Sequence, residues 1–201
     1  EGHTIEVLGD YILVGGDNGT VTYSDDAGET FARLGDKGEI DGQAHVAFDS
    51  NFDDNSTVYA AVADGNKGGI YRWIIGEDDD WENLDAEPTL DQMGGDGDDP
   101  IDVAYFGIAL GKSDGTLYAT YAYEDGDDWY TGAARCLTPA KEVCCDDLDW
   151  DYLYHDLTVD ADEDTAQQFT LEPSSLKICG CLTADTNSKL WAIDDDVYDS
   201  A

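Results

Sequence analysis

Carboxylates are the most abundant side chains in this chain that could do chemistry. The sequence has 47 Asp and Glu residues against 9 Lys and Arg, a formal net charge of -38. Many aspartates stand beside glycine or asparagine in predicted turns, where oxygen ligands for a hard cation such as Ca²⁺ are often found. The candidate calcium ligands are Asp96, Asp98 and Asp99 in one group, and Asp160, Asp162 and Asp164 in another.

The second group does not form an EF-hand loop. Its sixth position is Thr165 where that loop needs glycine, and its twelfth is Leu171 where it needs glutamate. The alternative for both groups is a solvated acidic loop in a protein that lives in salt or divalent cations. Ca²⁺ is the one cofactor that the sequence suggests.

Catalytic acids, bases and nucleophiles cannot be singled out from the sequence. So many carboxylates are present that no one pair is distinguished for glycoside hydrolysis. His3, His45 and His155 fall in different parts of the chain, which does not favour a histidine metal cluster or a Ser-His-Asp triad. His45 leads an apolar strand and is predicted to be a packed residue.

The cysteines favour disulfide chemistry over metal binding. Their spacing does not match the paired Cys-x2-Cys arrangement of a zinc ribbon, and a cysteine-rich patch in an acidic chain of exported character favours disulfide bridges. A disulfide within residues 136–145 would constrain a long acidic insertion. Cys136 could pair with Cys144 or with Cys145. The one of these two that is left could then pair with Cys179 or Cys181. The five cysteines are Cys136, Cys144, Cys145, Cys179 and Cys181.

One short stretch predicts how these groups are positioned. Ser24 and Asp26 can accept hydrogen bonds from the N–H groups of a turn, and Gly28 can adopt a positive φ. Thr30 completes the pattern Ser-x-Asp-x-Gly-x-Thr-aromatic, and Phe31 is expected to restart a buried strand. The stretch therefore predicts a tight β-hairpin.

This pattern resembles the Asp-box, or BNR repeat, of sialidase-, sortilin- and photosystem-assembly-factor-like β-propellers. In those families the box lies on the outer rim, between the third and fourth strands of a blade and away from the central channel. The resemblance is strong for residues 20 to 34. It implies an architecture and almost nothing about activity.

The rest of the chain repeats one order of strands and turns. Each copy opens with a short apolar strand, which is followed by a polar turn and a second strand. The second strand begins with a small residue, an apolar residue and an aromatic residue, as in Thr57-Val58-Tyr59-Ala60. The fourth strand of three copies opens with an aromatic residue followed by a leucine three positions later. These pairs are Phe31 and Leu34, Trp81 and Leu84, and Trp150 and Leu153.

We therefore predict an all-β, β-propeller-like fold of four-stranded blades with Asp-box hairpins. Residues 1–201 would be a single propeller domain or part of a larger one, with about three and a half blades. Insertions are expected at 86–100, 123–131 and 137–149, and no helix of useful length is indicated. The four copies cover approximately residues 1–36, 42–86, 101–155 and 172–201.

The resemblance also raises one specific enzymatic hypothesis, because the Asp-box families include sialidases that bind the carboxylate of their substrate with three arginines. The chain has Arg33, Arg72 and Arg135, but the last two occupy the same repeat position ahead of the box, where arginine commonly supports the turn. The Phe/Tyr-Arg-Ile-Pro motif of those enzymes is absent, and no Tyr-Glu nucleophile pair can be assigned. A structural role for these arginines is the preferred interpretation.

Composition limits the partners and the setting. The strong negative charge argues against nucleic acid and anionic membranes as partners, and no apolar run is long enough for membrane insertion. Asn18 and Asn55 begin glycosylation sequons in predicted turns, which together with the cysteines suits an extracellular or cell-surface location. Four aromatic residues could stack on a carbohydrate or pack against a protein: Trp129, Tyr130, Tyr152 and Tyr154.

The resulting hypothesis is a non-enzymatic extracellular or cell-surface β-propeller that acts as a structural or binding module. One alternative is a self-assembling subunit of a surface layer or filament, a homo-oligomer or polymer. The other is a sialidase-like glycoside hydrolase fragment. The state of the protein in solution separates the first two, because a subunit would polymerise.

Overall fold

The computed structural model describes residues 1–65, 67–89, 91–93, 99–111, 115–125, 128–141, 148, 150–153, 173–179 and 189–194. Within these ranges it describes the backbone alone at 93, 125, 128–130, 153, 173–179 and 189–194. The described elements form three four-stranded antiparallel sheets and one two-stranded sheet. The predicted all-β, β-propeller-like fold of four-stranded blades is confirmed.

The first sheet is a meander in which each strand pairs with the next. Its strands are β1 (Gly2–Leu8), β2 (Tyr11–Gly16), β3 (Val21–Ser24) and β4 (Ala32–Leu34). The turn between β2 and β3 is tight because Asn18 and Gly19 both adopt positive φ, at 54° and 59°. The turn between β3 and β4 carries the box pattern.

The second sheet repeats this meander with longer inner strands. It contains β5 (Gln43–Phe48), β6 (Thr57–Asp64), β7 (Lys67–Ile74) and β8 (Glu82–Asn83). Between β5 and β6 lies a single helical turn, α1 (Phe52–Asn55), whose Phe52 is buried. Side chains alternate between the two faces of β6, and both faces are covered by other sheets. The strand is therefore almost completely buried.

The third sheet is again a meander, with β9 (Ala104–Leu110), β10 (Leu117–Asp125), β11 (Asp128–Cys136) and β12 (Trp150–Leu153). A 3₁₀ turn, Asp91–Met93, precedes it. The last hairpin is formed by β13 (Pro173–Cys179) and β14 (Lys189–Asp194).

The predicted insertion at residues 123–131 is made largely of strand. The strands β10 and β11 continue into it, and the pairing runs from Leu117 with Cys136 to Asp125 with Asp128. Alternating aromatic residues favour extended strands, and this preference outweighs the Asp and Gly content of the turn.

The sheets pack face to face in chain order, and the first strands β1, β5, β9 and β13 lie side by side. One core cluster fills the interface between the first two sheets and includes Leu13, Val21 and Val58. A second, tyrosine-rich cluster fills the interface between the second and third sheets and includes Tyr59 and Tyr121. No helix of the described chain is long and apolar enough to cross a membrane.

Candidate functional site

The hairpin between β3 and β4 is held by its own side chains. Ser24 Oγ donates to Asp26 Oδ1 at 2.8 Å and accepts from the Gly28 N–H at 2.9 Å. Asp26 accepts both from the Thr30 N–H, at 2.9 Å, and from the Thr30 hydroxyl, at 2.6 Å. These bonds to Thr30 and Ser24 lower the pKa of Asp26 to about 2. The polar groups of the box therefore bind one another.

Gly28 lies in this turn at a φ of +90°, and a Cβ there would be 3.2 Å from Ile12 Cδ1. We expect Gly28→Val to lower the free energy of unfolding by about 2 kcal/mol or more, because a β-branched residue is strained at positive φ. Asp25→Ala, an exposed change in the same hairpin, should stay within about 0.5 kcal/mol of the wild type. Urea denaturation of both variants measures the difference, and equal losses would contradict the turn assignment.

Phe31 does not restart a buried strand, which corrects the expectation. The strand β4 begins one residue later, at Ala32, and the Phe31 side chain is 49% exposed. Its equivalents Trp81 and Trp150 are buried because each packs against the preceding sheet. Among the described residues no sheet precedes the first one, so Phe31 has no such cover.

Sequence analysis did not foresee that the equivalent tryptophans join neighbouring sheets by hydrogen bonds. Trp81 Nε1 donates to the carbonyl oxygen of Leu34 at 3.4 Å. Trp150 Nε1 donates to that of Leu84 at 2.9 Å. The acceptor is in each case the leucine of the preceding aromatic-x-x-Leu pair, so this recurring pair was the sequence signal for the contact.

Arg72 is the most buried charged residue that the structure describes. It lies in β7 with only 4% of its side chain exposed and forms an ion pair with Glu82 of β8. Its Nη1 also donates to the carbonyl oxygens of Pro139 and Lys141, at 2.8 and 2.7 Å. These carbonyls belong to the segment after β11, so Arg72 fastens the second sheet to the third.

The other two arginines occupy different surroundings. Arg135, at the matching position of the third sheet, pairs with Asp151 of β12 at 2.8 Å and is 39% exposed. Its pKa is raised by that hydrogen bond. Arg33 is exposed and donates to the Asp36 carbonyl oxygen. The three arginines therefore bind different carboxylates or carbonyls.

Asp49 is a buried carboxylate whose oxygens are engaged by neighbours. Oδ1 accepts from the Asn51 N–H and from Asn55 Nδ2, at 2.8 and 2.9 Å. Oδ2 accepts from the Tyr59 hydroxyl at 2.8 Å. Asn55 Nδ2 is also the atom to which a glycan would be attached, and a glycosylated amide would keep one N–H. Asn18, the other sequon asparagine, is exposed in its turn.

A histidine cluster joins the start of the first sheet to the second. His3 Nε2 lies 2.7 Å from Asp17 Oδ1, and the ring of His3 lies 5.9 Å from that of His45. His45 is buried, as predicted, and its Nδ1 has no hydrogen-bond partner. Burial first, and the neighbouring His3 second, lower the pKa of His45 to about 4. A neutral His45 therefore packs between the sheets at physiological pH.

An open groove of about 360 Å³ lies beside Asp17, lined by Gly2, Val14, Thr20 and Thr22 among others. Within the described ranges no group of three or more His, Cys, Asp or Glu residues could hold a metal ion.

Several predicted site residues have only partial or no structural description. Asp99 is described and exposed, and Cys136 is described and buried at the end of β11. Tyr152 is half-buried, with its ring 6.0 Å from that of Tyr121, so it is not an exposed stacking residue. Outside the described residues or side chains lie Asp96, Asp98, Asp160, Asp162, Asp164, Cys144, Cys145, Cys179, Cys181, Trp129, Tyr130 and Tyr154.

Comparison with known proteins gives one distant likeness. No protein-family model matches the chain, and no curated protein matches it. Among solved structures, a GH74 enzyme of Niastella koreensis is similar, at 19% sequence identity and a TM-score of 0.39. The match covers 62% of this chain and 18% of that one, so the chain spans less than a fifth of the length of its structural neighbour.

Proposed function

We propose that this chain is a non-enzymatic structural or binding module of the β-propeller type, with Asp-box hairpins, that works outside the cell or at its surface. Its hairpins and buried polar groups would maintain the stack of sheets. Any protein or carbohydrate partner would be recognised on the exposed surface of that stack.

The observation that carries this proposal is the placement of Arg72. A sialidase-like site needs guanidinium groups that point together into a cleft, where they can bind the carboxylate of a substrate. Arg72 instead donates hydrogen bonds to Glu82 and to two backbone carbonyl oxygens of the segment after β11. Asp49 is likewise taken up by three internal donors, which leaves it unsuited to act as a general base.

The proposed extracellular setting is supported by composition. A formal net charge of -38 produces strong self-repulsion at low ionic strength, which salt or bound Ca²⁺ would reduce. The same charge makes nucleic acids poor partners. The five cysteines suit an oxidising compartment, in which bridges among them would persist.

A hydrolysis assay tests the non-enzymatic role. The protein is incubated with 4-methylumbelliferyl conjugates of sialic acid and of common neutral sugars, with and without Ca²⁺. We expect no more release of fluorophore than with the heat-denatured protein. Release by the native protein that is lost in Arg72→Lys but kept in Arg33→Lys would overturn the proposal and favour the glycoside hydrolase alternative.

A further inference from the structure

The two glycosylation sequons of this chain differ in whether their side chains are already bonded. Asn18 is exposed in the turn between β2 and β3, and among the described residues none hydrogen-bonds to its side-chain amide. The turn itself is held by its backbone. The Thr20 N–H donates to the Asp17 carbonyl oxygen at 3.2 Å, and the Gly19 N–H donates to that of Gly42 at 2.7 Å. The Asn18 amide is therefore presented on a fixed turn, with its Nδ2 available to a partner.

The hydroxyl group that completes the first sequon also faces open space. The Asn-x-Ser/Thr acceptor is recognised as a unit and is used in surface loops. Thr20 is half-buried, and no described residue bonds to its hydroxyl. The open groove of about 360 Å³ is lined by Val14, Asn18, Thr20 and Thr22 among others. A first sugar on Asn18 would therefore have room beside the turn.

The second sequon is part of the internal hydrogen bonding of the second sheet. Asn55 ends α1, where its Nδ2 donates to Asp49 Oδ1 at 2.9 Å and its Oδ1 accepts from the Thr57 N–H at 3.0 Å. Thr57 is only 2% exposed, and its hydroxyl donates to the Asn55 carbonyl oxygen at 3.2 Å. Both the amide and the hydroxyl of this sequon are thus engaged within the protein.

A transferase could reach Asn55 only after the chain opens locally. Such an opening would break the bonds of the Asn55 amide and draw Thr57 away from Ile74, its partner in the pairing of β6 with β7. Each internal hydrogen bond contributes about 1 kcal/mol. A group that is reached only through local opening reacts in proportion to the open fraction. Asn18 needs no such opening.

We infer that the folded chain accepts a sugar at Asn18 and not at Asn55. The donor is a sugar whose anomeric carbon is bonded to the phosphate of a nucleoside or lipid diphosphate. Asn18 Nδ2 forms a bond to that carbon and loses one proton. The bond between the carbon and the phosphate oxygen breaks, and the diphosphate leaves with the electron pair. The amide keeps its second N–H.

The inference adds a modification site to the proposed function. Its occurrence in nature rests on the proposed extracellular setting, where N-linked sugars are found on surface loops. The difference between the two sequons belongs to the folded chain itself and can be measured on the purified protein.

Incubation with UDP-glucose and a soluble N-glycosyltransferase that modifies Asn-x-Ser/Thr sequences tests the inference. Proteolysis and mass spectrometry follow glucose addition at each sequon with time. The matched controls are synthetic peptides of residues 12–24 and 49–61, in which neither sequon is folded. We expect Asn18 of the folded protein to react less than about tenfold more slowly than its peptide, and Asn55 to react more than about tenfold more slowly than its own.

Two variants check that the acceptor is the first sequon. Asn18→Gln removes the acceptor, and Thr20→Val removes only the hydroxyl while keeping the β-branched shape. Each should abolish glucose addition to the folded protein, and circular dichroism must show that the strands are retained.

The inference is wrong if Asn55 of the folded wild type reacts about as fast as its peptide. It is equally wrong if Asn18 of the folded protein is slowed by about tenfold or more relative to its peptide. Either result leaves the non-enzymatic role untouched, since that role is tested by hydrolysis.

Discussion

Arg72→Ala is expected to lower the free energy of unfolding by about 3 kcal/mol, because it removes a buried guanidinium and leaves its hydrogen-bond acceptors without their donor. The side chain is 4% exposed, and three acceptors depend on it: the Glu82 carboxylate and the carbonyl oxygens of Pro139 and Lys141. Water cannot easily replace the guanidinium at the buried carbonyl of Pro139, so that acceptor would lose its bond. Urea denaturation followed by tryptophan fluorescence measures the loss.

Arg135→Ala is the matched control for this prediction. Arg135 has the same place in the third sheet and also pairs with a carboxylate of the fourth strand, Asp151, but these two side chains are 39% and 51% exposed. An exposed pair of this kind is worth about 1 kcal/mol or less. Comparable losses for the two variants would mean that the contacts of Arg72 with the third sheet contribute nothing to stability.

The repeat frame could be predicted from the sequence because its signals are local. A strand places alternate residues on opposite faces, so Thr57-Val58-Tyr59-Ala60 already indicates a strand buried on both sides. The hairpin at Ser24, Asp26 and Gly28 is set by bonds that span at most four residues. Such patterns can be seen in the chain before any tertiary contact is known.

What could not be predicted depends on residues far apart in sequence. Arg72 bonds to carbonyls 67 and 69 residues away, and backbone acceptors leave no trace in residue types. Phe31 has the aromatic side chain that its position predicts, yet its burial depends on a neighbouring sheet. His3 and His45 come together only because β1 and β5 lie side by side.

Acid is expected to destabilise the protein through His45. Its pKa is lowered from 6.5 to about 4 in the folded protein, mainly by burial and then by the charge of His3. Between pH 6.5 and pH 4 the unfolded chain binds a proton that the folded chain does not, so stability falls as the pH drops through this range. A shift of this size corresponds to about 3 kcal/mol, fully present above pH 6.5 and lost by about pH 4.

His45→Phe isolates this effect from the titration of the carboxylates, whose protonation reduces self-repulsion in the same range. Phenylalanine keeps a planar ring of similar size, and His45 Nδ1 has no hydrogen-bond partner to lose. The variant should therefore gain on the wild type by about 3 kcal/mol between pH 7 and pH 4 in urea denaturation. Nearby, His3 is the titratable group that stacks on His45, and Asp17 bonds to His3. A difference between wild type and variant that does not change with pH would show that His45 takes up its proton in the folded protein as easily as in the unfolded chain, and the packing between β1 and β5 would then be looser than the structure describes.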